Sequence, residues 1–232
     1  MTPVNITRRP ARAAGPAPSQ HLWYVAYGSN LHAARLASYL DGGVPPGGSV
    51  VHPGCRDPRP PERSVPVMLP GCLYFATYAP LWDGGRAFYD PDAAGETAAR
   101  GYLITHGQFS DIAAQEMYRE PGADLDLTEV LAAGRASLGP GRYETLVHAG
   151  TLEGLPLLTF TAPWHVDDVP PLAPSAPYLR HLAAGLMEAH GWDADRAADY
   201  LAGCSGAAGH WTRPDIVALL AAPDHADHRP VS

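Results

Sequence analysis

The chain has 232 residues, 46% of them hydrophobic, and a formal net charge of −8 with a pI near 5.7. Its 16 basic residues are all arginines and are scattered along the chain, which excludes the concentrated basic patch that a nucleic-acid scaffold needs. Cys55, Cys72 and Cys204 lie far apart with no C-x-x-C pair, which excludes a zinc ribbon and a disulfide framework and reads as free thiols of a cytoplasmic protein.

Residues 1–20 read as a disordered leader. Arg8-Arg9 is not followed by the apolar run that a signal requires, and no stretch is long enough to cross a bilayer. Order is expected from His21, where His21-Leu-Trp-Tyr-Val-Ala-Tyr27 is aromatic and β-branched and predicts a buried strand. Gly28 ends it. Ser29 and Asn30 are both good N-cap residues, so a short helix is predicted over Leu31 to Leu40. Pro45 to Pro70 reads as a long ordered loop, larger than the surrounding elements need. Strands are predicted at Cys72–Tyr78, after the turn at Trp82, and at Ala99–Thr105. A helix follows over Phe109 to Tyr118, with Ser110 as a candidate cap. Tyr143–Ala149 and Leu155–Thr161 read as further strands. Leu179, Leu182, Ala183, Leu186, Met187 and His190 recur at helical spacing, and Gly191 closes that helix. Asp193 to Leu201 is predicted to be another helix, and the polar segment from Ala222 to Pro230 a fraying end. Strands and helices interleave without a regular β-α-β beat, which predicts a mixed α+β domain on a small curved sheet. The domain is placed at residues 21–202, with 203–232 as a C-terminal extension.

Two places can carry chemistry. Tyr27-Gly28-Ser29-Asn30 sits between a strand and a helix. A glycine there lets a ligand approach the backbone, and free amides at a helix start suit a carboxylate or an oxyanion. On local grounds alone an ordinary capped helix, which explains Ser29 and Asn30 without any ligand, is the preferred reading. Glu116 lies in the largely uncharged stretch Asp111-Ile-Ala-Ala-Gln-Glu-Met-Tyr118. Burial there raises a carboxyl pKa and fits it for proton transfer near neutrality, whereas on a solvated face it does nothing special. Other constellations are weaker. Cys55 beside Arg56 invites a lowered thiol pKa, but no partner can be named and a structural or incidental thiol is the preferred reading. His165 with Asp167 and Asp168, and His225 with His228, lack the spacing of a metal site, so no metal is expected. No Gly-x-Ser-x-Gly elbow makes Ser29 a nucleophile. Trp82 and Arg86 read equally as pocket lining or as packing and surface groups.

The run WYVAYGSNL resembles the signature of the γ-glutamylcyclotransferase family. LPGCLYFATYAPLWDGGRAFYDPD, ARGYLITHGQFSDIAAQE, Tyr143-Glu-Thr-Leu-Val-His-Ala149 and PSAPYLRHLAAGLMEAHGW with Asp199-Tyr-Leu resemble further family segments in the same order, from about Trp23 to Leu201. The chain departs from the family pattern at Ala113, where an aspartate is frequent, and at Met117, where a glycine is. The resemblance implies a curved sheet or small barrel flanked by helices, Glu116 as the acid/base, and Tyr27, Gly28, Ser29, Asn30 and Leu31 as the substrate cradle. It also matches Tyr178 and Tyr200 to family tyrosines. The implied reaction is attack of a substrate α-amine on its own γ-glutamyl carbonyl, which gives 5-oxoproline and a free amine. It needs a small-molecule substrate and no cofactor, nucleic acid or membrane. Two rivals stay open: another amide-cleaving or acyl-transfer reaction on a non-glutamyl substrate, and a non-catalytic small-molecule-binding domain.

Overall fold

The computed structural model describes residues 2–7, 20–45 and 50–222. Its strands are β1 (Val4–Asn5), β2 (His21–Ala26), β3 (Arg63–Pro70), β4 (Cys72–Ala79), β5 (Gly84–Asp90), β6 (Glu96–Thr105), β7 (Arg135–Ser137), β8 (Thr145–Leu152) and β9 (Leu155–Thr161). Its helices are α1 (Ala33–Asp41), α2 (His106–Glu116), α3 (Thr128–Ala133), α4 (Ala176–His190), α5 (Ala194–Gly203) and α6 (Arg213–Ala221), with short 3-10 turns at Ser29–Leu31 and Val166–Asp168.

β2 is the central strand of a mixed sheet ordered β1-β3-β6-β2-β9-β8-β7. It pairs antiparallel with β6 and parallel with β9. Successive strand residues point to opposite faces, and here both faces are covered. Trp23 and Val25 pack into one core with Leu179, Leu182 and Leu186 of α4, Leu201 of α5 and Ile216 of α6. Leu22, Tyr24 and Ala26 pack into a second core with Leu36, Tyr39 and Leu40 of α1, Phe109 and Ile112 of α2 and Val130 of α3. The architecture is therefore α+β, a mixed sheet between two helical layers. β4 and β5 form a separate antiparallel ribbon. Leu73, Phe75, Ala87 and Tyr89 face the first core, and Tyr74, Ala76 and Phe88 face a small third one.

The structure corrects several local expectations. Ser29 and Asn30 do not cap a helix; they lie in a 3-10 turn, and α1 starts later, at Ala33, with no side-chain cap. α2 is capped by Thr105 in a reciprocal box with Gln108, not by Ser110, whose Oγ instead donates to the His106 carbonyl. Part of the proline-rich stretch is strand. β3 runs alongside β6, with Pro66 opposite Arg100; proline is admitted because the strand's other side is paired only by the two residues of β1. The leader is not wholly loose, because Val4 and Asn5 pair with Val67 and Met68 and Ile6 is buried. α6 adds a packed helix inside the C-terminal extension. Arg8-Arg9, His225, His228 and most of the fraying segment lie outside the described residues.

Candidate active site

At the end of β2 the chain leaves the sheet, and a pocket opens there. It is lined by Tyr24, Ala26, Tyr27, Gly28, Ser29 and Asn30 from β2 and its turn. Ala87 of the ribbon, Glu116, Tyr143, Thr159 and Phe160 of β9, and Tyr178 of α4 complete it. The empty space, counted together with the open mouth, is about 350 Å³. Glu116 and the turn, far apart in sequence, are thus brought to one place.

The turn is anchored on several sides. Leu31 N donates to the Gly28 carbonyl at 3.0 Å and His32 N to the Ser29 carbonyl at 3.3 Å. The Tyr102 hydroxyl donates to the Asn30 carbonyl at 2.8 Å. His181 Nε2 lies 2.9 Å from the Ser29 carbonyl. Burial pushes the His181 pKa down to about 4, so near neutrality the ring is uncharged and its Nε2 carries the proton that the carbonyl accepts. Leu31 does not line the pocket: its side chain is buried under α4. The close approach needs Gly185, where an added Cβ would sit 2.7 Å from Leu31 Cβ and 2.9 Å from His32 N. Gly28 adopts φ −106°, ψ −141°, so the left-handed region is not its reason. A Cβ there would meet Tyr178 Oη at 3.7 Å and Ala87 Cβ at 3.8 Å, that is, it would project between the pocket walls.

Glu116 is the last residue of α2 and half-buried. Asn30 Nδ2 donates to Glu116 Oε1 at 3.2 Å and also lies 3.2 Å from the Tyr24 hydroxyl oxygen. The Tyr39 hydroxyl is a second polar group against the carboxylate. Burial raises the Glu116 pKa; Tyr39, Arg35, Asn30 and Arg142 oppose that without cancelling it. Asn30 Oδ1 is buried without a partner among the described residues. An unmet buried acceptor costs free energy unless a ligand donates to it. A carboxyl that can exchange a proton, beside an acceptor that lacks a donor, suits a ligand carrying an N–H group.

Sequence reasoning missed Tyr24, Tyr39, Tyr143, Thr159 and Phe160 as parts of the site. Tyr24 was findable, since it shares a strand face with Ala26 immediately before the turn. Tyr27 turns its hydroxyl to the Phe160 carbonyl at 2.8 Å. Trp82 stacks on Tyr178 with ring centroids 4.7 Å apart, so it backs the pocket wall. Arg86 is buried and donates to the Tyr78 carbonyl at 2.5 Å. Tyr200 lies elsewhere, its hydroxyl accepting from Ala98 N at 3.0 Å. Cys55 is not activated by Arg56: burial and the Asp111 carboxylate push its thiol up to about 12, as suits a structural thiol. Asp90, Asp92 and His165 bring ligand atoms within 4.8 Å of one another. The buried Asp90 carboxylate is already occupied, accepting from Val166 N and Asp92 N.

No protein-family model matches the chain. Histone deacetylase 5 of Arabidopsis thaliana is 28% identical over 198 residues; the match covers 78% of this chain but only 30% of that protein's length. Among solved structures, the uncharacterized protein loc79017 of Homo sapiens is similar with a TM-score of 0.46 at 15% identity, over 86% of this chain and 99% of that one. A γ-glutamyl cyclotransferase is similar with a TM-score of 0.44 at 15% identity, over 85% and 98%. At that identity and those TM-scores, neither likeness carries an argument about what this chain does.

Proposed function

We propose that the chain is a cofactor-independent enzyme of the γ-glutamylcyclotransferase type, which closes a γ-glutamyl amide onto itself to release 5-oxoproline and an amine. The observation that carries the reading is the meeting of Asn30 Nδ2 and Glu116 Oε1 at 3.2 Å in one pocket, since it joins the turn and the carboxylate that the sequence resemblance singles out separately. The substrate α-ammonium sits between Glu116 and the unmet Asn30 Oδ1. Glu116 takes one proton from it, and the freed amine attacks the γ-carbonyl carbon. The carbonyl oxygen becomes an oxyanion. The 3-10 turn leaves the amides of Ser29 and Asn30 without an intrahelical acceptor, and on this reading they are the donors to that oxygen. Collapse re-forms the carbonyl and breaks the bond to the leaving nitrogen. Glu116 returns its proton to that nitrogen, and the ring nitrogen loses its surplus proton to solvent.

Both reacting groups belong to one molecule, so holding it bent can supply up to ~7–11 kcal/mol of the barrier. Oriented amides add ~3–4 kcal/mol per good donor. The test is release of 5-oxoproline from γ-glutamyl amides by the wild-type chain and by Glu116→Gln. Absence of 5-oxoproline from every γ-glutamyl amide offered would overturn the reading.

A further inference from the structure

Arg35 is a buried cation with no anionic partner among the described residues. It stands in the first turn of α1 and is only 4% exposed, yet Nε and Nη1 have no hydrogen-bond partner among the described residues. Its side chain makes neither a hydrogen bond nor an ion pair among the described residues. What surrounds it is aromatic: the guanidinium carbon lies 5.3 Å from the Trp82 ring centroid and 5.9 Å from that of Tyr39. Such faces attract a cation but offset only part of the cost of removing it from water. Sheet packing does not require a charge at this position, since methionine would cover the same surface as the arginine stem. Arg35 lies behind the pocket wall rather than in its lining, and each flanking ring borders a residue that does line it. Trp82 stacks on Tyr178, which lines it. Tyr39 abuts Glu116, which also lines it. The Arg35 charge is felt at Glu116, Tyr24, Tyr39 and Tyr178.

We propose that Arg35, held between Trp82 and Tyr39, is an anion subsite of this pocket and takes a carboxylate of the bound ligand. The inference rests on the cyclotransferase reading for the choice of ligand, not for the site itself. Two carboxylates qualify, the α-carboxylate of the glutamyl half and one on the amine half, and the chemistry at Arg35 is the same for both. Unspent donors on a desolvated guanidinium make such a contact worth ~10- to 10²-fold in affinity.

The experiment is a cycle of binding measurements by calorimetry in the Glu116→Gln background, which prevents turnover. Three ligands are compared: γ-glutamylalanine, γ-glutamylethylamide, which lacks the amine-half carboxylate, and γ-glutamylalanine with its α-carboxylate converted to the amide. Each is titrated into protein with Arg35 present and into Arg35→Met. Arg35→Gln serves as a second neutral variant should methionine impair folding. The expected result is that one deleted carboxylate costs at least ~10-fold while Arg35 is present and close to nothing once it is neutral. The deletion that behaves so identifies the half that Arg35 holds. The proposal is overturned if neither deletion costs affinity, if the cost persists in the neutral variants, or if none of the three ligands binds. Turnover of γ-glutamylalanine by the wild-type chain is read separately. Binding with the expected pattern but no 5-oxoproline would sink the cyclotransferase reading and leave the subsite standing. Release of 5-oxoproline with no Arg35-dependent effect would do the reverse.

Discussion

Glu116 holds its proton to a higher pH than an exposed glutamate, because its surroundings disfavour the charged form. Its pKa is raised on folding, so the stability tied to it is fully present below the unfolded value near ~4.5 and is lost as pH rises through the folded value. Glu116→Gln escapes that loss. Its melting temperature should exceed that of the wild type at pH 8, and the gap should close toward pH 4; a constant gap would show that the carboxyl titrates as if in water. The same substitution should lower turnover by at least ~10²-fold, read as 5-oxoproline release. Tyr39→Phe removes a group that favours the carboxylate, so the acid limb of the pH–rate profile should move to higher pH. At Gly28 a β-carbon meets only ordinary contacts, so Gly28→Val should fold. Its methyl groups nevertheless fill the gap toward Tyr178 and Ala87. Activity should fall far more than in Ser29→Ala, and equal activities would show that the turn is not a cradle. The turn and Glu116 were visible in sequence because short motifs mark them. Arg35 was not: in Ala-Ala-Arg-Leu-Ala-Ser-Tyr-Leu it reads as an ordinary solvated helix residue, and only the tertiary packing of Trp82 against it buries the charge.

The elements were legible where their composition or period was clean. β2, β4, β6 and β9 declare themselves as short apolar runs rich in aromatic or β-branched residues, and α4 by a 3.6-residue repeat. β3 hides because Pro66 and Pro70 argue against a strand, and proline's cost depends on what pairs beside it, which sequence does not reveal. β1 is too short to carry a pattern. The loop before β3 is tied to α2: Arg56 Nε donates to both oxygens of the fully buried Asp111 carboxylate at 2.9 and 3.0 Å, and its backbone N donates at 2.8 Å. Arg56→Ala leaves that carboxylate short of donors and should destabilise by ~1–3 kcal/mol, measured by urea unfolding; no change would mean that solvent replaces the guanidinium. The ribbon wall is seated backbone to backbone, with Gly85 N donating to the Ala173 carbonyl at 2.8 Å. A Cβ on Gly85 would lie 2.0 Å from the Leu172 carbonyl oxygen. Gly85→Ala must therefore push the ribbon, and Ala87 with it, off the pocket. Loss of substrate affinity should accompany a drop in melting temperature.

On the scale of the molecule, the α+β class was legible from the irregular succession of strands and helices, whereas the sheet order was not. Nothing local tells β2 to choose β9 as a parallel neighbour. The choice follows from covering both faces of one apolar strand, with α1, α2 and α3 on one side and α4, α5 and α6 on the other. Among the described residues no helix is long and apolar enough to cross a membrane. The pairing of β2 with β9 also sets a timetable. Tyr27 and the Phe160 carbonyl it binds are 133 residues apart, and the loop between them must close before the pocket exists. A fragment ending near residue 140 would lack β8, β9 and α4. It should show no cooperative thermal transition, and a sharp one would mean that the first half folds alone. During synthesis, β2 leaves the ribosome well before β9, and its Leu-Trp-Tyr-Val run has an unpaired edge for that whole interval. The strand that leads into the Gly28 turn thus presents an unshielded apolar edge in a newborn chain, so substitutions in β9 should reduce soluble yield before they reduce the activity of the molecules that do fold.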